Sequence, residues 1–392
     1  MERNHYKVND MYNFSVEVLK KAGYPEKSAE ATAYALLDAD KKGIFSHGIA
    51  GGTGLEEAVK RSGVTATVNP QAEPEVLESK YAAVGIIDAN GSPGHISSMI
   101  AVDLVKELAR KYGMAKVYVN NANHFGAAGA WSDKIAEDND LEGVVTCTTA
   151  ACARVMGDDP KGLDYTQGAG KEERIGTNPT ATTIPHKDGK LTLDMANTRM
   201  AASYCIRCMK EGKMMEIPSY VFDDNNNTTY DPNDFITIDK DGNKIIKGSI
   251  APLGSEAAGY KGDNILRMIE MDHAIAGGPT KKVPIVGKGH ERRISHTFQA
   301  TAMDVLYDKD KALEKINEVM KDYEDNYFGE KSRWPGDRSK EAIDYATQNG
   351  IPYSEGQVET LKRAAQHVGL EFTLKPASKK EFPAEVFKKW AT

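Results

Sequence analysis

Apolar positions at helical spacing open the chain: Met11, Phe14 and Val18 precede Gly23 and Pro25, and Ala29, Ala33, Leu36 and Leu37 follow them. Residues three and four apart share one helix face, so the pattern predicts two short helices within roughly the first 45 residues, a small helical cap. Residues 55 to 80 are mixed and proline-containing and read as a connector. From about residue 81 the period changes. YAAVGIID and AKVYVNN are strand-like runs on either side of HISSMIAVDLVKELARKYG, whose spacing is helical, and GVVTCTT is a strand-like run after another helical stretch. KLTLDMA then predicts a strand and NTRMAASYCIRCMKEG a helix. The stretches DDNNNTTYDPNDF and IDKDGNK hold too few apolar positions to bury much and read as a surface excursion. Lys261 to Ile275 predicts a buried helix stopped by Gly277-Gly278-Pro279, HTFQATAMDVL a strand, and KALEKINEVMKDYEDNY an amphipathic helix. GQVETLKRAAQHVGL predicts another helix, with a short one at the end of the chain.

Composition narrows the function classes. With 392 residues the chain outgrows a single core, since cores stop growing at roughly 250 to 300 residues. A net charge of -7 spread along the chain argues against nucleic acid or an anionic membrane as partner. No run approaches ~20 consecutive apolar residues, and MERNHYKVNDMYNF lacks the basic-then-apolar order of a secretory signal, so the expected compartment is the cytoplasm. Four cysteines are too few for a disulfide scaffold and fit a reducing compartment. Cys205 and Cys208 have C-x-x-C spacing, but a zinc site needs four ligands and no Cys or His cluster accompanies them, so they read as core residues. The D-x-D-G-N segment near residue 239 is an incomplete calcium loop without a closing glutamate and reads as a turn.

The usual nucleotide and hydrolase signatures are missing. No G-x-G-x-x-G follows a strand, GAGKEER lacks the P-loop pattern, and neither G-x-S-x-G nor H-E-x-x-H occurs. Polar and glycine clusters at element ends stand out instead. KKGIFSHGIAGG carries Ser46 and His47, and VNNANHFGAAGAW carries His124 after a strand-like run. A histidine changes charge near neutral pH and can take or return a hydroxyl proton, although a single one is more often structural. IGTNPTATTIP sets Gly176, Thr177, Asn178 and Pro179 in a turn with hydroxyl, amide and backbone donors suited to phosphate or carboxamide groups. PLGSEAAGYKGDN holds Tyr260 and Lys261 between Gly259 and Gly262, where an ammonium can meet an anion.

Six motifs in this order, SHG at 46 to 48, NHFGAAG at 123 to 129, GTNP at 176 to 179, DMANT at 194 to 198, GYKG at 259 to 262 and WPGDR at 334 to 338, resemble the malate/L-lactate dehydrogenase-like family distinct from the Rossmann enzymes. The resemblance implies an α+β fold with a non-Rossmann, NAD(P)-binding mixed sheet and a helical domain built from the chain termini. Residues 1–75 with 339–392 would form that helical domain, and 76–338 the NAD(P)-binding domain, with surface insertions near 154–174 and 220–247. It implies NAD or NADP as cofactor, a small-molecule substrate and a homodimer. His124 matches a family histidine proposed as general base and His47 one proposed as proton donor, with Ser46 beside it; which of the two moves the substrate proton stays open. Gly176, Thr177, Asn178, Pro179, Tyr260, Lys261, Gly262, Pro335 and Gly336 match stretches that hold the dinucleotide. Asp194 matches the DMA aspartate, which either touches the cofactor or orients a neighbour.

Two positions depart from the family pattern. An arginine usual three residues after the SHG glycine is Gly51 here, and an arginine ahead of SHG is Lys42, a point charge without the bidentate fork. The departures point away from malate and lactate toward a hydroxysulfonate or another polar hydroxy compound, with Arg154 or Arg174 as candidate grips. A cyclic imine reductase on the same scaffold and a dinucleotide-binding protein without turnover are the alternatives. His186 and Lys187 are the basic candidates for a ribose 2'-phosphate, which would separate NADP from NAD.

Overall fold

Met11, Phe14, Val18 and Leu19 lie on one buried face of the helix Val8–Lys21, as their spacing requires, and Glu26–Lys41 buries nearly every turn. The structure, a computed structural model, describes residues 2–61, 65, 67–156, 168–215, 221–225, 227–238, 244–254, 258–284, 293–383 and 386–387. The expected turn at 239–243 lies outside them, as does most of the expected short terminal helix. The chain divides into a first unit of Met1–Val145, Ala181–Asp194 and Thr297–Thr392 and a second of Thr146–Thr180 and Met195–His296.

A seven-stranded sheet runs through the first unit in the order Glu75–Leu77, Val84–Asp88, Met114–Ala122, Ile294–Ala302, Leu141–Cys147, Thr180–His186, Gly189–Met195. It is mixed: Val84–Asp88 pairs antiparallel with Glu75–Leu77 and parallel with Met114–Ala122. A parallel pair needs a crossover, and the helix Gly94–Tyr112 supplies it and packs on both strands. The stretch read as a connector holds the helix Leu55–Lys60 and the strand Glu75–Leu77, both too short for a periodic signal. TATTIP, which follows the GTNP turn, is a strand paired with Gly189–Met195.

The chain ends of the first unit share a second layer. Glu2–Tyr6 lies between Ile351–Tyr353 and Ser378–Glu381, antiparallel to both. ERNHY has little intrinsic strand preference and forms here because both edges are paired. Tyr6, Met11, Phe14, Leu36, Phe45, Ile49, Tyr353 and Leu361 belong to one apolar cluster, which includes the helices Asp337–Asn349 and Glu355–His367.

In the second unit Cys152, Met200, Cys205, Cys208, Phe235, Ile236 and Ile250 build a separate core. Cys205 and Cys208 are therefore packing residues. Phe235, at the end of a stretch expected to bury little, and Ile236 beside it are fully buried there, because the turn Pro232–Phe235 folds back onto that core. No helix of the described residues is long and apolar enough to cross a membrane.

Candidate active site

His47 is positioned by the end of the helix Glu26–Lys41. Gly43 reverses the chain at φ +73°, and the single turn Phe45–His47 follows. Phe45 anchors that turn in the core, with its ring 5.6 Å from Phe387 and 6.3 Å from Tyr353. Beneath it lies the fully buried carboxyl of Asp40, whose Oδ2 accepts from Ile49 N–H at 2.9 Å and from the Tyr353 hydroxyl at 2.6 Å. Gly48 sits so close to this carboxyl that a Cβ would overlap it. Burial pushes Asp40 up to about 7, against the lowering effect of those two donors.

His124 follows the strand Met114–Ala122, whose end is turned by Asn121 at φ +52°. Asn123 is buried and donates from Nδ2 to the carbonyls of Gly91 and Ser92, both at 2.8 Å. Trp131 Nε1 donates to Phe125 O at 2.9 Å, so the loop is fixed on both sides of the histidine. Gly126 N–H donates to His124 Nδ1 at 3.2 Å, which places the proton of the neutral ring on Nε2.

These two chain segments bring the histidines together. Their ring centroids are 5.6 Å apart with planes 20° from parallel. Ser46 Oγ lies 2.9 Å from His47 Nδ1. Burial holds His47 down to about 4, so the ring is neutral at neutral pH.

Lys42, which stands where the family usually has an arginine, is turned inward. Its side chain is 6% exposed, and Nζ pairs with Asp38 at 2.5 Å and Asp133 at 2.7 Å. Burial alone would lower its pKa, but the two carboxylates outweigh it and raise it. Asp133 in turn accepts from Thr183 at 2.7 Å and Thr192 at 2.6 Å. Asp194 accepts from the backbone N–H of Gly129, in the first turn of the helix Ala128–Ile135, and its carboxyl is raised by burial. This contact ties Asp194 to the start of the helix that follows the His124 loop. Pro335 O accepts from Thr192 N–H at 3.0 Å, with Gly336 packed against the same backbone. His186 is buried, whereas Lys187 is exposed.

In the second unit the GTNP turn is braced from within. Asn178 is fully buried at φ +33°; its Oδ1 accepts from Thr149 N–H at 2.9 Å and its Nδ2 donates to Leu266 O at 3.3 Å. The amide expected to face a ligand thus holds the turn, and Thr177 Oγ1, 3.2 Å from Thr149 Oγ1, is the more exposed group. Pro179 O accepts from Cys147 N–H at 3.3 Å, and Gly176 packs on Thr149. Tyr260 and Lys261 lie exposed at the start of the helix Gly259–Ala274, with Nζ 5.9 Å from the Tyr260 ring centroid, while Gly262 packs on Leu253.

The two arginines read as substrate grips are engaged inside their unit. Arg154 is buried, pairs with Asp224 at 3.1 Å, lies 3.6 Å from Glu173, and donates to the carbonyls of Asp224 and Lys247. Arg174 pairs with Glu270 at 2.6 Å. Sequence pattern could not reveal partners about seventy and ninety-six positions away. The same reason hid Asp40 and Tyr353, which meet across 313 positions. Among the described residues no group of three or more His, Cys, Asp or Glu side chains could hold a metal ion.

A profile described as malate/L-lactate dehydrogenase matches residues 6–362. The malate/(S)-sulfolactate dehydrogenase of Methanothermus fervidus is 28% identical over 367 residues, covering 91% of this chain and 96% of that protein. Among solved structures, the sulfolactate dehydrogenase of Methanocaldococcus jannaschii superimposes with a TM-score of 0.73 at 25% identity, covering 95% of this chain and 98% of that one. The delta1-piperideine-2-carboxylate reductase of Pseudomonas syringae pvar. tomato has the same fold, with a TM-score of 0.74 at 19% identity over 92% of this chain and 99% of that one.

Proposed function

This chain belongs to the malate/L-lactate dehydrogenase family and is an oxidoreductase, and on that premise we propose that it acts with NAD or NADP on the CH–OH or C=O carbon of a small polar 2-hydroxy acid or hydroxysulfonate. The observation that carries this reading is the stacked pair His47 and His124, with Ser46 Oγ beside Nδ1 of the first and Gly126 N–H donating to Nδ1 of the second.

In the oxidative direction neutral His47 accepts the substrate hydroxyl proton at Nε2. The resulting imidazolium carries a proton on Nδ1 as well, and Ser46 Oγ, 2.9 Å away, accepts a hydrogen bond from it. His124 is unsuited to the same task, because protonating its Nδ1 would break the bond from Gly126 N–H. It serves instead as an Nε2–H donor to the substrate oxygen. In reduction His47 returns the proton to that oxygen. Bound nicotinamide supplies or takes the hydride, so that proton and hydride transfer share one geometry.

The donor chemistry fits a dinucleotide. Lys261 at the N-terminal end of a 16-residue helix combines an ammonium with the positive end of the helix dipole, suited to a diphosphate. Tyr260, Gly262 and the Gly176–Pro179 turn lie in the same unit as Lys261 and are assigned to the cofactor with it, Asn178 acting by holding the turn. Arg154 and Arg174 leave the list of substrate grips, since each is already paired. Lactate and malate fit less well than hydroxysulfonates, because Lys42 is an internal ion-pair partner and position 51 carries no side chain.

Purified protein mixed with NAD or NADP and a panel of hydroxycarboxylates, hydroxysulfonates and polyols, followed by nicotinamide absorbance, tests this. Turnover is expected with a hydroxysulfonate or another polar hydroxy compound, and at least a hundredfold less with His47→Ala. Lactate or malate as best substrate by a wide margin would refute the substrate assignment, and unchanged turnover in His47→Ala the proton-transfer assignment. Imine reduction is a second reading, favoured by the shared fold of the piperideine carboxylate reductase and by the same need for a protonating histidine. A cyclic imino acid outcompeting its keto acid counterpart with NADPH would select it.

A further inference from the structure

We infer that Asp40 and Tyr353 are positioning residues for His47: the buried carboxyl ties the Tyr353 hydroxyl to the backbone just after His47 and so fixes the ring that meets His124. This rests on the reading of His47 as the proton-transferring group.

Three contacts define the device. Asp40 ends the buried face of the helix Glu26–Lys41, and its Oδ2 receives both Ile49 N–H and the Tyr353 hydroxyl. Gly48 lies against the other oxygen, Oδ1, leaving no space for a side chain between His47 and the carboxyl. Ile49 is itself fully buried, so residues 48 and 49 are held from both the backbone and the core. The chain can therefore leave the Phe45–His47 turn in one direction only, which fixes where the imidazole points.

Tyr353 reaches Asp40 from the terminal three-stranded sheet, at the end of Ile351–Tyr353. Its ring is wedged 6.1 Å from Tyr6 and 6.3 Å from Phe45, so the hydroxyl has little freedom to turn away. The strand thus acts on the histidine through two hydrogen bonds. Catalysis is sensitive to such placement, since a displacement of about 1 Å at a reacting group costs on the order of 100-fold in rate.

The test uses Tyr353→Phe, which keeps the ring and deletes one hydrogen bond, and Asp40→Asn, which keeps an acceptor for Ile49 N–H. Each full-length variant is assayed for kcat and KM, for thermal melting, and by nitrogen-edited NMR of the histidine rings, with the His47 signal assigned by its loss in His47→Asn. Tyr353→Phe is expected to shift the His47 ring signal and lower kcat by roughly 10-fold to 100-fold with KM changed less than about threefold. Asp40→Asn is expected to shift the same signal and to recover part of the activity lost in Asp40→Ala. A variant that melts lower while His47 signal and kcat stay as in wild type would overturn the proposal, leaving the pair a purely structural contact. If the ring signal moves but His47→Asn itself keeps wild-type kcat, positioning stands and the catalytic reading of His47 falls.

Discussion

Replacing Lys42 with methionine removes the ammonium that bridges Asp38 and Asp133 while keeping the length of the side chain. Its ammonium sits 2.5 Å from Asp38 and 2.7 Å from Asp133, with 6% of the side chain exposed, so the substitution leaves carboxylates facing each other with little water to screen them. Breaking a buried pair by removing one partner costs about 3–5 kcal/mol, because the remaining charge is uncompensated. At roughly 2 °C or less per kcal/mol for a chain longer than about 250 residues, the melting temperature should fall by up to roughly 10 °C. The damage should also reach the chemistry, since Asp38 belongs to the helix leading to His47 and Asp133 to the helix that follows His124. Calorimetry of wild type, Lys42→Met, Asp133→Asn and the double variant measures the coupling directly. A coupling energy below about 1 kcal/mol would refute the account, reducing the cluster to a screened surface pair.

Other expectations follow from the same geometry. Asp40, pushed up to about 7, keeps a proton in the folded state that the unfolded chain, with a carboxyl near ~3.9, releases; stability is therefore lost as pH rises from about 4 to about 7, and the wild-type melting temperature should decline over that window more than that of Asp40→Asn, a parallel decline in both refuting the assignment. Gly51→Arg, which would restore the family's usual residue, should not restore a carboxylate grip, because its Cβ would lie 2.6 Å from the carbonyl oxygens of Phe45 and Ser46; a gain of malate turnover would contradict this. Arg154→Ala should lower stability by about 1–3 kcal/mol, through the lost hydrogen bonds to the Asp224 and Lys247 carbonyls, while leaving KM within about twofold, and a large rise in KM would return the arginine to the substrate.

Much of the scaffold was legible because local pattern and final environment agree. Gly94–Tyr112 and Glu355–His367 show one apolar face over three or more turns, and each packs that face. Glu2–Tyr6 was not legible, since its polar residues become a strand only through partners more than three hundred positions away. The histidines announced themselves as polar residues beside glycines at element ends. What surrounds them did not, because the burial of Lys42, Asp40 and Arg154 depends on carboxylates, carbonyls and hydroxyls delivered by distant segments. Asn178 shows the converse: its motif was visible, but the inward direction of its amide is a property of the folded turn.

The central claim is hydride transfer from a carbinol carbon, with His47 taking the proton. Supplying the best hydroxy substrate with deuterium on that carbon, and examining the reduced nicotinamide by mass spectrometry and NMR, follows the transferred atom itself. The account predicts one deuterium on the nicotinamide ring, with transfer slowed in His47→Ala. Reduced cofactor free of deuterium, or labelled at the wild-type rate in that variant, would contradict it.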